Sequence, residues 1–171
     1  LIRAIEDEAK LNLMGRILTR SDLLLYLEAR LRITDTYKRH PEIEDEVVRE
    51  PVFIVGSGRS GTTIFHEALS QDEQFRVVKR WEAMFPCPPP EEATYHTDPR
   101  IAKADRLITL PDPIAPEWRT MHAQGGDLPV ECIEFTYSSF VSYAFSASFH
   151  VPNYTRWVAA NDHRSAFLWH E

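Results

Sequence analysis

The sequence predicts an α/β fold, a parallel sheet with helices before and after it, and two adjoining segments carry that expectation. Val52-Phe53-Ile54-Val55 is a short, continuous, β-branched-rich run, the pattern of a strand buried on both faces. It leads straight into Gly56-Ser57-Gly58-Arg59-Ser60-Gly61, behind which Thr62-Thr63 opens a helix with Ile64, Phe65, Ala68 and Leu69 on one side. Strand, glycine turn, helix is the organisation of a phosphate-binding unit.

The other elements follow from periodicity and breakers. Residues 1–40 read as helical: Leu11, Leu13, Met14, Ile17 and Leu18 form an apolar face. Ser21-Asp22 reads as the N-cap of a second helix carrying Leu24, Leu25, Leu27 and Leu31. His40-Pro41 ends it, and residues 42–46 make an acidic, solvated connection. Residues 75–81 are expected as a second short strand. Pro86-Cys87-Pro88-Pro89-Pro90 enforces extended chain. Asp98 caps a helix over 98–109, with Pro99 in its first position. Residues 111–129 are a proline-punctuated loop. The aromatic stretch 130–149 reads as a buried helix, with a strand as the open alternative, and its aromatic side chains are expected mostly in the core. Val151-Pro152-Asn153-Tyr154 breaks it before a last helical region that includes 164–170.

With 171 residues, 43% hydrophobic, the chain is long enough for one domain with a real core. The parts expected are helices over 1–50, the strand-loop-helix unit over 51–85, and a mainly helical region over 86–171. A start at Leu1 and an end inside a predicted helix read as an N-terminal fragment, incomplete at its C-terminus. A net charge of −7 argues against non-specific nucleic-acid binding, which needs a basic surface. Cys87 and Cys132 offer neither metal spacing nor a disulfide framework. A reduced, cytoplasmic protein is the simpler reading, with a bridge between them as the alternative. No apolar run has the length of a membrane span. Glu6, Asp7, Glu8 and Lys10 interrupt what would be a signal peptide.

The glycine loop carries the chemistry. Glycines let the backbone bend tightly and bring amides close to a ligand. The helix behind leaves its first amide hydrogens unpaired, and its dipole favours an anion there. Hydroxyls of Ser60, Thr62 and Thr63 add donors, and Arg59 adds a permanent cation. Against the nucleotide-binding pattern G-x-x-x-x-G-K-[ST], Gly56, Gly61 and Thr63 fit, but Thr62 stands where the lysine belongs. That argues against ATP or GTP hydrolysis.

The string Val55-Gly56-Ser57-Gly58-Arg59-Ser60-Gly61-Thr62-Thr63 resembles the 5′-phosphosulfate loop of sulfotransferases that use 3′-phosphoadenosine 5′-phosphosulfate (PAPS). The arginine form of the string is similar to a branch containing tyrosylprotein sulfotransferases and many bacterial proteins. Trp81-Glu82, Phe85-Pro86, Tyr95-His96-Thr97-Asp98-Pro99-Arg100-Ile101, Pro129 with Glu131, and 151–154 add to the likeness. The resemblance implies a P-loop, nucleotide-kinase-like parallel sheet and a metal-free transfer of a sulfuryl group to a hydroxyl-bearing small molecule, lipid or saccharide. It places the donor on Ser57, Gly58, Arg59, Ser60, Gly61, Thr62 and Thr63. It also implies Arg59 as electrostatic stabiliser, Glu82 as general base, and an acceptor side after residue 98. The family's lysine-serine/threonine-proline and arginine-aspartate-proline strings for the 3′-phosphate do not occur, so half of the donor site is expected here. The alternatives are a small-molecule kinase with a degenerate loop and a non-catalytic nucleotide-binding module.

Plainer readings stand beside these. Glu82 can be a salt-bridged residue at a strand end, to Arg80 or Lys79. His66 reads as packed, and Glu131 with Glu134 as a solvated face. His96 and His122 read as loop residues. Arg76, Lys79 and Arg80 read as exposed charges.

Overall fold

The computed structural model describes residues 1–58, 60–121 and 123–167, with the side chains of Trp118 and Met121 excepted. Among them the helices are α1 (Ile2–Glu8), α2 (Leu13–Arg39), α3 (Thr62–Leu69), α4 (Arg80–Met84), α5 (Pro99–Thr109), α6 (Trp118–Met121), α7 (Cys132–Phe135), α8 (Tyr143–Ser148), α9 (Pro152–Ala160) and α10 (Arg164–Phe167). Tight 3-10 turns occupy Pro41–Asp45, Glu92–Thr97 and Thr136–Ser139.

The predicted α/β arrangement is overturned: no parallel sheet forms among the described residues, and their β-pairing is one isolated antiparallel bridge, Lys79 with Pro129. A strand exists only through partners for its amides and carbonyls. Residues 52–55 have the composition of a buried strand, yet no described segment pairs with them, and Phe53 and Val55 are 72% and 89% exposed. The second predicted strand, 75–81, gets as far as that single bridge. The Val130 amide donates to the Val78 carbonyl at 3.1 Å and the Arg80 amide to the Leu128 carbonyl at 2.9 Å. Pro129 has no N–H to extend the ladder, and α4 takes over at Arg80.

The chain divides into two compact units, Leu1–Glu46 with the segment from Glu131 onward, and Val47–Val130. In the first, α2 is one helix of 27 residues rather than two. Asn12 is its cap, accepting from the Gly15 amide at 2.8 Å. Ser21 lies inside the helix and turns its hydroxyl back to the Ile17 carbonyl at 3.1 Å. The inward stripe is also displaced from the predicted leucines. Ala29 and Ile33 are buried, and Leu23 and Tyr26 pack on the core, while Leu24, Leu27 and Leu31 face solvent. That core gathers Ile5, Phe145, Val151, Tyr154 and Val158.

The predicted helix over 130–149 breaks into α7, a 3-10 turn and α8 because its hydroxyls compete for the backbone. Ser139 Oγ donates to the Thr136 carbonyl at 2.7 Å and accepts from the Val141 amide at 3.0 Å. Thr136 Oγ1 bonds Ser142 Oγ at 2.6 Å, and Ser142 caps α8 through the Ala144 amide at 3.1 Å. Phe140 takes the left-handed conformation at the break, φ +60°. Tyr154 seals it: its phenol donates to the Phe140 carbonyl at 3.0 Å and accepts from the Ser142 amide at 3.1 Å. Tyr154→Phe leaves the buried Ser142 amide and the part-buried Phe140 carbonyl without the phenol. We expect denaturant unfolding to show a loss of about 1–3 kcal/mol.

In the second unit α5 begins as the sequence predicts. Asp98 accepts from the Arg100 amide at 2.8 Å, and Pro99 holds the first position. Trp81 and Ala104 are fully buried. Gly126 ties α4 to α5: its carbonyl accepts from the Trp81 amide at 2.9 Å and its amide donates to Asp105 at 2.6 Å. A Cβ here would stand 2.6 Å from the Ile101 carbonyl oxygen, so only glycine permits the approach.

Candidate functional site

The glycine loop lies in the second unit and curls through a four-residue turn. The Ser57 carbonyl accepts from both the amide and the hydroxyl of Ser60, at 3.2 and 2.6 Å. Arg59, between them, lies outside the described residues. Gly56 is pressed from above: a Cβ there would meet Ser60 Oγ at 2.7 Å and Thr62 Cγ2 at 2.8 Å. Gly61 sits at φ +92°, a left-handed conformation that suits glycine, and caps α3 by accepting from the Phe65 amide at 3.1 Å.

The loop delivers the chain into a helix start. The amides of Thr62, Thr63 and Ile64 form the first turn of α3, which a helix leaves without internal acceptors. The helix dipole adds partial positive charge at the same end. Ser57, Gly58, Ser60 and Gly61 are exposed and Thr62 and Thr63 half-buried, and the Ser60 amide and hydroxyl are already engaged by the Ser57 carbonyl. The predicted binding residues other than Arg59 therefore share one turn and one helix start.

Glu82 belongs to a second cluster. It is the third residue of α4 and only 7% exposed. Its Oε2 accepts from the Lys79 amide at 2.9 Å and from the Tyr95 phenol at 3.0 Å. Arg76 pairs with both carboxylate oxygens, through Nη2 to Oε1 and through Nη1 to Oε2. The salt-bridge partner is thus Arg76, not the expected Arg80 or Lys79, and the Lys79 ammonium goes instead to Asp127 at 2.7 Å. The bond from Glu82 to the Lys79 amide is a capping-box contact, legible in their three-residue spacing.

Tyr95 is the member of this cluster that sequence reasoning missed; nothing in its spacing from Glu82 announces the contact. Burial pushes its phenol up to about 12, with the Glu82 carboxylate adding to the rise against the opposing pull of Arg76. The phenol therefore stays a donor throughout the neutral range.

The remaining candidates are scattered. His66 is half-buried within α3, and His96 meets the Tyr95 ring edge-on at 5.3 Å. Glu131 is exposed at the N-cap of α7, and Glu134 is half-buried in the same helix. His122 lies outside the described residues. Among the described residues no hydrogen bond or ion pair joins Glu82 to residues 56–63. Nor do three His, Cys, Asp or Glu side chains gather as a metal group among them. No helix of these residues is long and apolar enough to cross a membrane.

The family model described as "Sulfotransferase family" matches residues 51–168. The crystal structure of sulfotransferase STF1 from Mycobacterium tuberculosis is similar, with a TM-score of 0.80 and 29% identity, over 98% of this chain and 46% of that one. The crystal structure of sulfotransferase STF9 from Mycobacterium avium has a TM-score of 0.77 and 24% identity, over 97% of this chain and 43% of that one. At that lower identity the likeness is one of fold alone. The chain spans less than half the length of either relative. No curated protein matches the chain.

Proposed function

The chain belongs to the sulfotransferase family, and on that footing we propose that it carries the 5′-phosphosulfate loop of a cytoplasmic enzyme that moves a sulfuryl group from PAPS to a hydroxyl-bearing small molecule, lipid or saccharide. The observation that carries this reading is the family match running through a loop that leads into the first, internally unpaired amides of α3.

In this reading the acceptor oxygen attacks the sulfur in line. The bond from sulfur to the bridging phosphate oxygen breaks, and adenosine 3′,5′-bisphosphate leaves with that electron pair. Ser57, Gly58, Ser60, Gly61, Thr62 and Thr63 hold the phosphosulfate by amides and hydroxyls. Arg59 offsets the charge growing on the bridging oxygen and, with so high a pKa, keeps its own proton. Glu82 takes the acceptor's proton.

The test is calorimetric titration of the full-length protein with adenosine 3′,5′-bisphosphate, without magnesium, beside ATP. We expect the bisphosphate to bind in clear preference. Magnesium-dependent ATP binding with no bisphosphate binding would sink the reading.

A further inference from the structure

Three donors hold the Glu82 carboxylate, and they differ in stiffness. Arg76 is a long side chain, 59% exposed, that reaches both carboxylate oxygens. The Lys79 amide is fixed backbone. Tyr95 comes from the 3-10 turn Glu92–Thr97, and its ring is held on several sides. It packs on Trp81 with centroids 5.5 Å apart, while the Lys79 ammonium stands 5.2 Å and the Arg76 guanidinium 5.5 Å from its centre. Trp81 is in turn fully buried under Arg100, whose guanidinium lies 4.7 Å from the indole. Arg100 is locked by Asp98 at 2.6 Å and by the carbonyls of Phe85 at 3.0 Å and Pro88 at 2.6 Å. The phenol thus reaches Glu82 from the end of a braced stack.

The two oxygens of Glu82 are consequently unlike. Oε2 takes the two donors fixed by the fold, the Lys79 amide and the Tyr95 phenol, together with Arg76 Nη1 at 3.3 Å, while Oε1 takes Arg76 Nη2 alone. We propose that Tyr95 is the positioning residue for Glu82: it pins Oε2, so that Oε1 is the oxygen that takes the acceptor's proton when Arg76 moves aside. This rests on the reading of Glu82 as general base. The charged and titratable groups facing the carboxylate are Arg76 and Lys79 from its own segment and Tyr95 from the 3-10 turn. Asp127 lies behind Lys79.

The test uses the full-length protein, with wild type compared with Tyr95→Phe, which keeps the ring on Trp81. Carboxylate hydrogen bonding is followed by difference infrared spectroscopy, with Glu82→Gln as the subtraction. Turnover is followed with PAPS and 4-nitrophenol as probe acceptor. A lost donor should shift the Glu82 carboxylate stretch. It should also lower kcat about tenfold, with bisphosphate affinity unchanged. A carboxylate stretch and kcat unmoved by Tyr95→Phe overturn the proposal. Should Glu82→Gln itself retain kcat, the general-base reading falls, whether or not the band shift shows the Tyr95 bond. If the Phe variant melts, 3,5-difluorotyrosine at position 95 preserves shape and donates more strongly. The carboxylate stretch must then shift in the opposite sense, and a stationary one overturns the proposal equally.

Discussion

Arg59→Ala is expected to weaken adenosine 3′,5′-bisphosphate binding about ten- to hundredfold, the worth of one hydrogen-bonded cation on a phosphate. The same change should lower kcat by about 10²–10³, as loss of a donor aimed at developing charge does elsewhere. The prediction follows from charge. The Ser60 amide and hydroxyl both return to the Ser57 carbonyl. Gly61 then hands the chain to α3, whose first amides supply dipoles but no full charge. No other residue from 56 to 63 bears a charge, so the loop's only formal cation is Arg59. Arg59→Lys keeps the charge but loses the planar fork, and should fall between wild type and alanine. Calorimetry gives the affinities, and turnover of PAPS at saturating donor gives kcat. An alanine variant that binds the bisphosphate as wild type does would remove Arg59 from the donor site.

How far the sequence could be read depended on how local each determinant is. The cap at Asp98 with Pro99 is encoded within three residues and appears where expected. The turn and helix start at 57–63 are equally local. The sheet is not. Residues 52–55 have the composition of a strand, but a strand also needs a partner, and composition supplies none. The stretch 130–149 misled for the opposite reason. Its apolar content suggested a helix, while Thr136, Ser139 and Ser142 spend their hydroxyls on nearby backbone and break it. Tyr95 was invisible because its tie to Glu82 depends on α4 and the Glu92–Thr97 turn being folded together.

Glu82→Gln should separate base from buttress. The substitution keeps the side chain's shape, and an amide oxygen in place of Oε2 still accepts from the Lys79 amide and Tyr95. The new NH₂ group then confronts the Arg76 guanidinium, donor against donor, at a position only 7% exposed. Arg76, being largely exposed, can turn to water, which limits the stability loss to about 1–3 kcal/mol. Chemistry has no such escape: an amide cannot take the acceptor's proton, and kcat should fall by about 10²–10⁴ with bisphosphate affinity preserved. Arg76→Ala supplies the contrast. It breaks the same ion pair but leaves the carboxylate with both rigid donors, so kcat should stay within a few-fold of wild type. If Arg76→Ala instead loses as much kcat as Glu82→Gln, the pair itself is what turnover requires, and Glu82 acts by holding structure rather than by moving a proton.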